Sequence, residues 1–202
     1  IYHTAAYEFN TAVDMADAFT GRVIAPDYSR VMNPTVMYLE DKVKALTNAS
    51  NVVAFSSGMA AISNTMLALS ATGKNIVTSR HMFGNTFSLI TQSLKRFGVE
   101  ARPCDLLNLD EVKSKMDDNT CCIFLEIITN PQMEVANLAE LAAIAHEHNV
   151  PLVADTTVIP FTQFSAKNLG VDIEVVSSTK YLSGGATSLG GLAIDYGTTQ
   201  GF

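Results

Sequence analysis

The chain has 202 residues, enough for one large domain or two small ones. Hydrophobic residues make up 48% and charged ones 16%, which excludes extensive disorder and predicts a well-packed core. A net charge of −7 argues against nucleic acid or an anionic membrane as the main partner.

No apolar run approaches the roughly 18 residues of a transmembrane helix, and no basic stretch leads into an apolar one as in a signal peptide. The opening "IYHTAAYEFN" reads as the interior of a longer text, and the chain stops at "DYGTTQGF" without a closing helix. It is therefore read as a fragment, from which any targeting signal could be missing.

In chain order, residues 1–30 have weak periodicity and several turn formers, and are read as an irregular arm lying over another surface. "NPTVMYLEDKVKALT" follows as a helix, with Asn33 as N-cap, Pro34 at the first helical position and a stripe of Val36, Leu39, Val43 and Leu46. "NVVAF" (51–55), "NIVTS" (75–79), "CCIFLEI" (121–127), "PLVADT" (151–156), "EVVSS" (174–178) and "GGLAID" (190–195) are short and apolar nearly throughout. Strands buried on both faces read this way, which predicts an α/β fold with a mostly parallel sheet between helices. Between them, "TFSLITQSLKRFG" is a helix stopping at Gly98, and "NLAELAAIAHEHN" one opening from Asn137 with Leu138, Leu141, Ile144 and Ala145 on its stripe.

Cys104, Cys121 and Cys122 are odd in number, and the adjacent pair on a strand would face opposite sides, so they read as reduced thiols of a cytosolic core. His146 and His148 are two apart on a helix and point different ways, so no metal site is expected. His81 reads as a solvated loop residue.

In an open α/β sheet ligands gather at the carboxyl ends of the strands. After 51–55 comes Ser56-Ser57-Gly58-Met59 and then a helix, a turn whose free N–H groups and helix dipole suit a phosphate. After 75–79 comes Phe83 beside a glycine; after 121–127, Asn130 before Pro131; 151–156 ends in Asp155; after 174–178 come Ser177, Ser178, Thr179 and Lys180. Each has an ordinary reading, since acids at strand ends cap turns and most lysines are solvated. Together they match the needs of pyridoxal 5'-phosphate. A lysine holds its aldehyde covalently, an acid keeps its ring nitrogen protonated as an electron sink, and a turn holds its phosphate. A dinucleotide fold is excluded, because no G-x-G-x-x-G follows the first strand.

"YSRVMNPT" (28–35), "SSGMAAI" (56–62) and "STKYLSGG" (178–185), with the spacing from Asp155 to Lys180, resemble the Cys/Met-metabolism family of fold-type I pyridoxal-phosphate enzymes over essentially the whole chain. The resemblance implies the large cofactor-binding domain over 31–202, preceded by an arm over 1–30, with a carboxy-terminal domain absent. It implies that Lys180 holds the cofactor and shuttles protons, and that Asp155 faces the ring nitrogen. The turn Ser57, Gly58 and Met59, with Ser177 and Thr179, would take the phosphate. Asn130 would lie near the cofactor's 3-oxygen, and Thr157 is retained in the aspartate segment. Tyr28 and Arg30 would reach a neighbouring subunit's cofactor, making the protein an obligate dimer, usually a dimer of dimers.

The family usually has a tyrosine where this chain has Phe83, stacked on the cofactor and helping to protonate the leaving group; a phenyl ring can stack but has no proton to give. The glutamate motif appears as "EIITNP", keeping Glu126, Asn130 and Pro131, and "SGGATSLGG" is closer to the sulfhydrylase branch than to the lyases. The expected activity is γ-replacement on O-acetylhomoserine by a sulfide donor in the cytoplasm. The alternative is a γ-lyase releasing 2-oxobutyrate, ammonia and a thiol.

Overall fold

Six strands form where the six apolar, β-branched runs stand, and β3 makes a seventh: β1 (Asn51–Phe55), β2 (Asn75–Ser79), β3 (Glu100–Cys104), β4 (Thr120–Glu126), β5 (Leu152–Asp155), β6 (Ile173–Val176) and β7 (Gly191–Asp195). These come from a computed structural model, which describes residues 1–199. The strands make one sheet in the order β1-β7-β6-β5-β4-β2-β3. Pairing is parallel throughout β6-β5-β4-β2-β3, while β7 runs antiparallel to both its neighbours. Every strand but β7 therefore points the same way, so six carboxyl ends share one edge, and those of β1, β2, β4, β5 and β6 carry the residues singled out from sequence.

The helices are α1 (Ala12–Phe19), α2 (Pro34–Thr47), α3 (Gly58–Leu69), α4 (Gly84–Ser88), α5 (Leu109–Lys115) and α6 (Leu138–Glu147), and both faces of the sheet are covered by those that follow α1. On one face α3 and the helical turns Leu89–Phe97 enclose Ile62, Met66, Ile90 and Leu94 against Val153 and Val175. On the other, α5 and α6 bury Val112, Leu141 and Ile144 against Ile123, Leu125 and Leu152. Leu141 and Leu152 have no exposed surface, and full burial of each such side chain contributes about 1.5–3 kcal/mol before entropy. Asn33 caps α2 by accepting the Thr35 N–H at 2.9 Å, and Asn137 caps α6, as the sequence predicts. All three cysteines are buried and free.

Four features depart from the sequence reading. The arm is not wholly irregular: α1 stands in it, opened by a capping box in which Thr11 and Asp14 exchange hydrogen bonds of 3.1 Å. Its box uses Asp rather than Glu or Gln, and none of its residues is buried. β3 went unpredicted because "EARPC" carries two charges and a proline; it is the sheet's edge, where a missing N–H is tolerated. The stripe on α2 is only partly covered, with Val43 buried while Leu39 and Leu46 stand exposed. β7 is fully interior to the sheet and reads as a buried parallel strand, although it pairs antiparallel.

Candidate active site

The five strand ends converge on a cavity of about 300 Å³. It is lined by Ser57, Gly58, Met59, Phe83, Asn130, Asp155, Thr157, Ser177, Thr179 and Lys180, so ten of the candidates from sequence meet in one place. Ile62, Ile128, Val158 and Leu189 give it apolar walls.

The turn after β1 leads directly into α3, whose first N–H groups, on Gly58 and Met59, have no intrahelical acceptor. Ser57 caps the helix by accepting the Ala60 N–H at 3.1 Å, and its own hydroxyl hydrogen stays free to donate. Gly58 is required here by space: a Cβ on it would stand 2.5 Å from Ser177 Cβ and 2.9 Å from Ser177 Cα. The helix start and the loop after β6 thus pack backbone to backbone, placing Ser177 beside the α3 N–H groups.

Asp155, half-buried at the end of β5, accepts the Thr157 N–H at 2.9 Å. Burial pushes its carboxyl above the ordinary range, opposed by the Thr157 hydroxyl and N–H. Among the described residues neither Asp155 nor Lys180 has an ion-pair partner. The Thr157 hydroxyl accepts the Ser177 N–H at 2.8 Å, so this threonine bridges the ends of β5 and β6. The Thr179 hydroxyl is engaged otherwise than expected for a phosphate ligand: it donates to the Gly190 carbonyl at 3.2 Å and accepts the Gly190 N–H at 3.1 Å. Gly184 and Gly185 take φ of 76° and 121°, which other residues resist, and nothing lies within 4 Å of where their Cβ atoms would be.

Tyr28 and Arg30 are not in this cavity. The Arg30 guanidinium lies 5.2 Å from the Tyr28 ring centroid, and the neighbouring Ser29 N–H donates to the Ala5 carbonyl at 2.9 Å, folding the arm on itself. His81, read as a solvated loop residue, instead pairs with Glu134 at 2.9 Å. Sequence reasoning did not count Glu126, Asn85 or Thr86 among the site residues, and all three line the cavity. The signal for Glu126 was the one used for Asp155, an acid closing an apolar strand.

Residues 1–201 match the model of the Cys/Met metabolism PLP-dependent enzymes. The chain belongs to that family. Among the family's members, an L-methionine γ-lyase of Fusobacterium nucleatum is 39% identical over 196 residues, 96% of this chain and 49% of that protein. The crystal structure of an O-acetylhomoserine (thiol)-lyase of Campylobacter jejuni, which contains N'-pyridoxyl-lysine-5'-monophosphate, superposes with a TM-score of 0.92 at 34% identity, covering 98% of this chain and 49% of that one. The structure of an O-acetylhomoserine sulfhydrylase of Wolinella succinogenes is 46% identical, with a TM-score of 0.78 over 83% of this chain and 48% of that one. The chain spans about half the length of the curated relatives it matches. The α/β sheet described above is that of the fold-type I Cys/Met-metabolism enzymes, and the family's cofactor is pyridoxal phosphate.

Proposed function

We propose that residues 31–202, with an arm over 1–30, form the cofactor-binding domain of an enzyme that replaces the γ-substituent of O-acetylhomoserine with a sulfide donor, giving homocysteine and acetate. The cavity's donor set supports pyridoxal phosphate as its ligand. A half-buried carboxylate without a cation, a lysine without an anion, and helix N–H groups beside free serine hydroxyls are complementary to a protonated ring nitrogen, an aldehyde and a phosphate.

Bound there, the cofactor would supply a protonated ring that withdraws electrons from the substrate's α-carbon. Asp155 would keep the ring nitrogen protonated. Gly58 and Met59 N–H groups with the Ser57 and Ser177 hydroxyls would take the phosphate; Thr179, its hydroxyl donating to Gly190, would serve mainly by holding the return of the chain to β7. Lys180 Nζ would carry protons between the substrate's α- and β-carbons, and Asn130 would donate to the cofactor's 3-oxygen.

The observation that carries replacement is Phe83, whose ring lines the cavity without a proton to offer. Acetate departs without acid help, whereas a thiolate benefits from a donor. The 46% identity to a sulfhydrylase supports the same reading. The 39% identity to a methionine γ-lyase favours a second one, elimination to 2-oxobutyrate, ammonia and a thiol. Tyr28 and Arg30 would contact a neighbouring subunit's cofactor in a cytoplasmic homo-oligomer, a dimer of dimers.

Incubation with O-acetylhomoserine, with and without sulfide, separates these readings. Homocysteine formed only with sulfide is expected; steady 2-oxobutyrate without homocysteine, even with sulfide present, would overturn replacement in favour of elimination.

A further inference from the structure

Glu126 closes β4 with only 7% of its surface exposed, and both of its oxygens are spent on main chain. Oε1 accepts the Phe83 N–H at 2.6 Å, from the loop after β2, and Oε2 accepts the Asn130 N–H at 3.0 Å, from the loop after β4. Phe83 is also the residue before α4, so the same bond fixes where that helix starts. In the β4–β5 register Glu126 stands opposite Asp155, which puts both side chains on one face of the sheet at the cavity floor. A carboxylate bound by two N–H groups makes stronger, shorter bonds than an amide would, and only an acid offers an acceptor to each donor.

The same two loops are joined once more at the rim, where His81 Nδ1 pairs with Glu134 at 2.9 Å. Both of those side chains are more than a third exposed, so solvent weakens their hold. The buried acid is the stiffer tie.

We propose that Glu126 is a positioning residue, the common anchor that sets the Phe83 ring and the Asn130 amide at fixed places over the cavity shared with Asp155 and Lys180. The inference rests on the reading of that cavity as a pyridoxal-phosphate site. Glu126→Gln keeps the side chain's length but presents one oxygen and one NH2 to two N–H donors, so one loop loses its anchor.

The test is made on the holoprotein, reading visible circular dichroism per bound cofactor at saturation, which reports how the chromophore is held, beside the cofactor Kd of the apoprotein. Loss of one charge-assisted bond is expected to raise Kd about ten- to a hundredfold and to weaken the dichroic band even at saturation. Glu134→Gln, which cuts only the rim pair, should leave the band unchanged. Should Glu126→Gln fail to fold, Glu126→Asp, which keeps the charge but is too short for both loops, is read in the same way. A wild-type band at saturation in either folded variant would overturn the proposal and leave the cofactor assignment standing. A wild-type protein that binds no pyridoxal phosphate would remove both.

Discussion

Gly58→Ala puts the packing of the site to a quantitative test. The added methyl would lie 2.5 Å from Ser177 Cβ and 2.9 Å from both Ser177 Cα and Oγ, distances that packed atoms do not tolerate. Two of these neighbours are the Cα and Cβ of a residue tied at its N–H to Thr157, so they cannot simply swing aside. Overpacking of this kind costs about 1–3 kcal/mol, and the better helix propensity of alanine returns less than about 1 kcal/mol at a first-turn position. The net loss of about 1–2 kcal/mol corresponds to a fall in Tm of about 2–8 °C for a domain of this size. Because the methyl wedges the start of α3 away from Ser177, cofactor affinity should fall as well. Differential scanning calorimetry of the apoprotein and a cofactor titration read the two effects. Gly84→Ala is the control: no atom lies within 4 Å of its Cβ position and its φ is not left-handed, so a change below about 0.5 kcal/mol is expected. Wild-type Tm and Kd in Gly58→Ala would refute the claim that this close approach builds the phosphate end of the cavity.

Two further outcomes follow from buried acids. Burial holds the Asp155 carboxyl above its ordinary 3.8, so the folded state keeps a proton that the unfolded chain releases. Its contribution to stability is therefore full below about pH 4 and is lost as pH rises through the folded value; urea denaturation of apo Asp155→Asn should shift in the variant's favour from about pH 4 to pH 7, and a pH-independent difference would refute this. Glu174, with no exposed surface, accepts the hydroxyls of Thr156 and of Tyr196, the latter at 2.6 Å. Tyr196→Phe leaves that carboxyl one donor short and should cost about 1–3 kcal/mol in the same assay, against no change if the hydroxyl were dispensable.

Much of the site was legible because its parts are local. A Ser-Ser-Gly turn between a strand and a helix, an acid closing the "LVAD" strand and a lysine after "SST" each declare themselves within a few residues, and parallel topology brings the strand ends together. What depends on distant partners was not. Glu126 acts by gathering N–H groups from residues 83 and 130, and Thr179 turns its hydroxyl to Gly190 in the chain's return, neither of which spacing reveals. Periodicity likewise shows that α2 has an apolar side but not that Leu39 and Leu46 on it stand exposed. β3 is held by one neighbour and a sheet edge, so it can carry Glu100, Arg102 and Pro103 and still be a strand.

The central claim is that Lys180 holds the cofactor at the meeting of these strand ends. Borohydride reduction of the holoprotein, followed by proteolysis and mass spectrometry, tests it directly. The account predicts a pyridoxyl-phosphate label on Lys180, absent from Lys180→Ala. A label on another lysine, or labelling that survives that substitution, would contradict it.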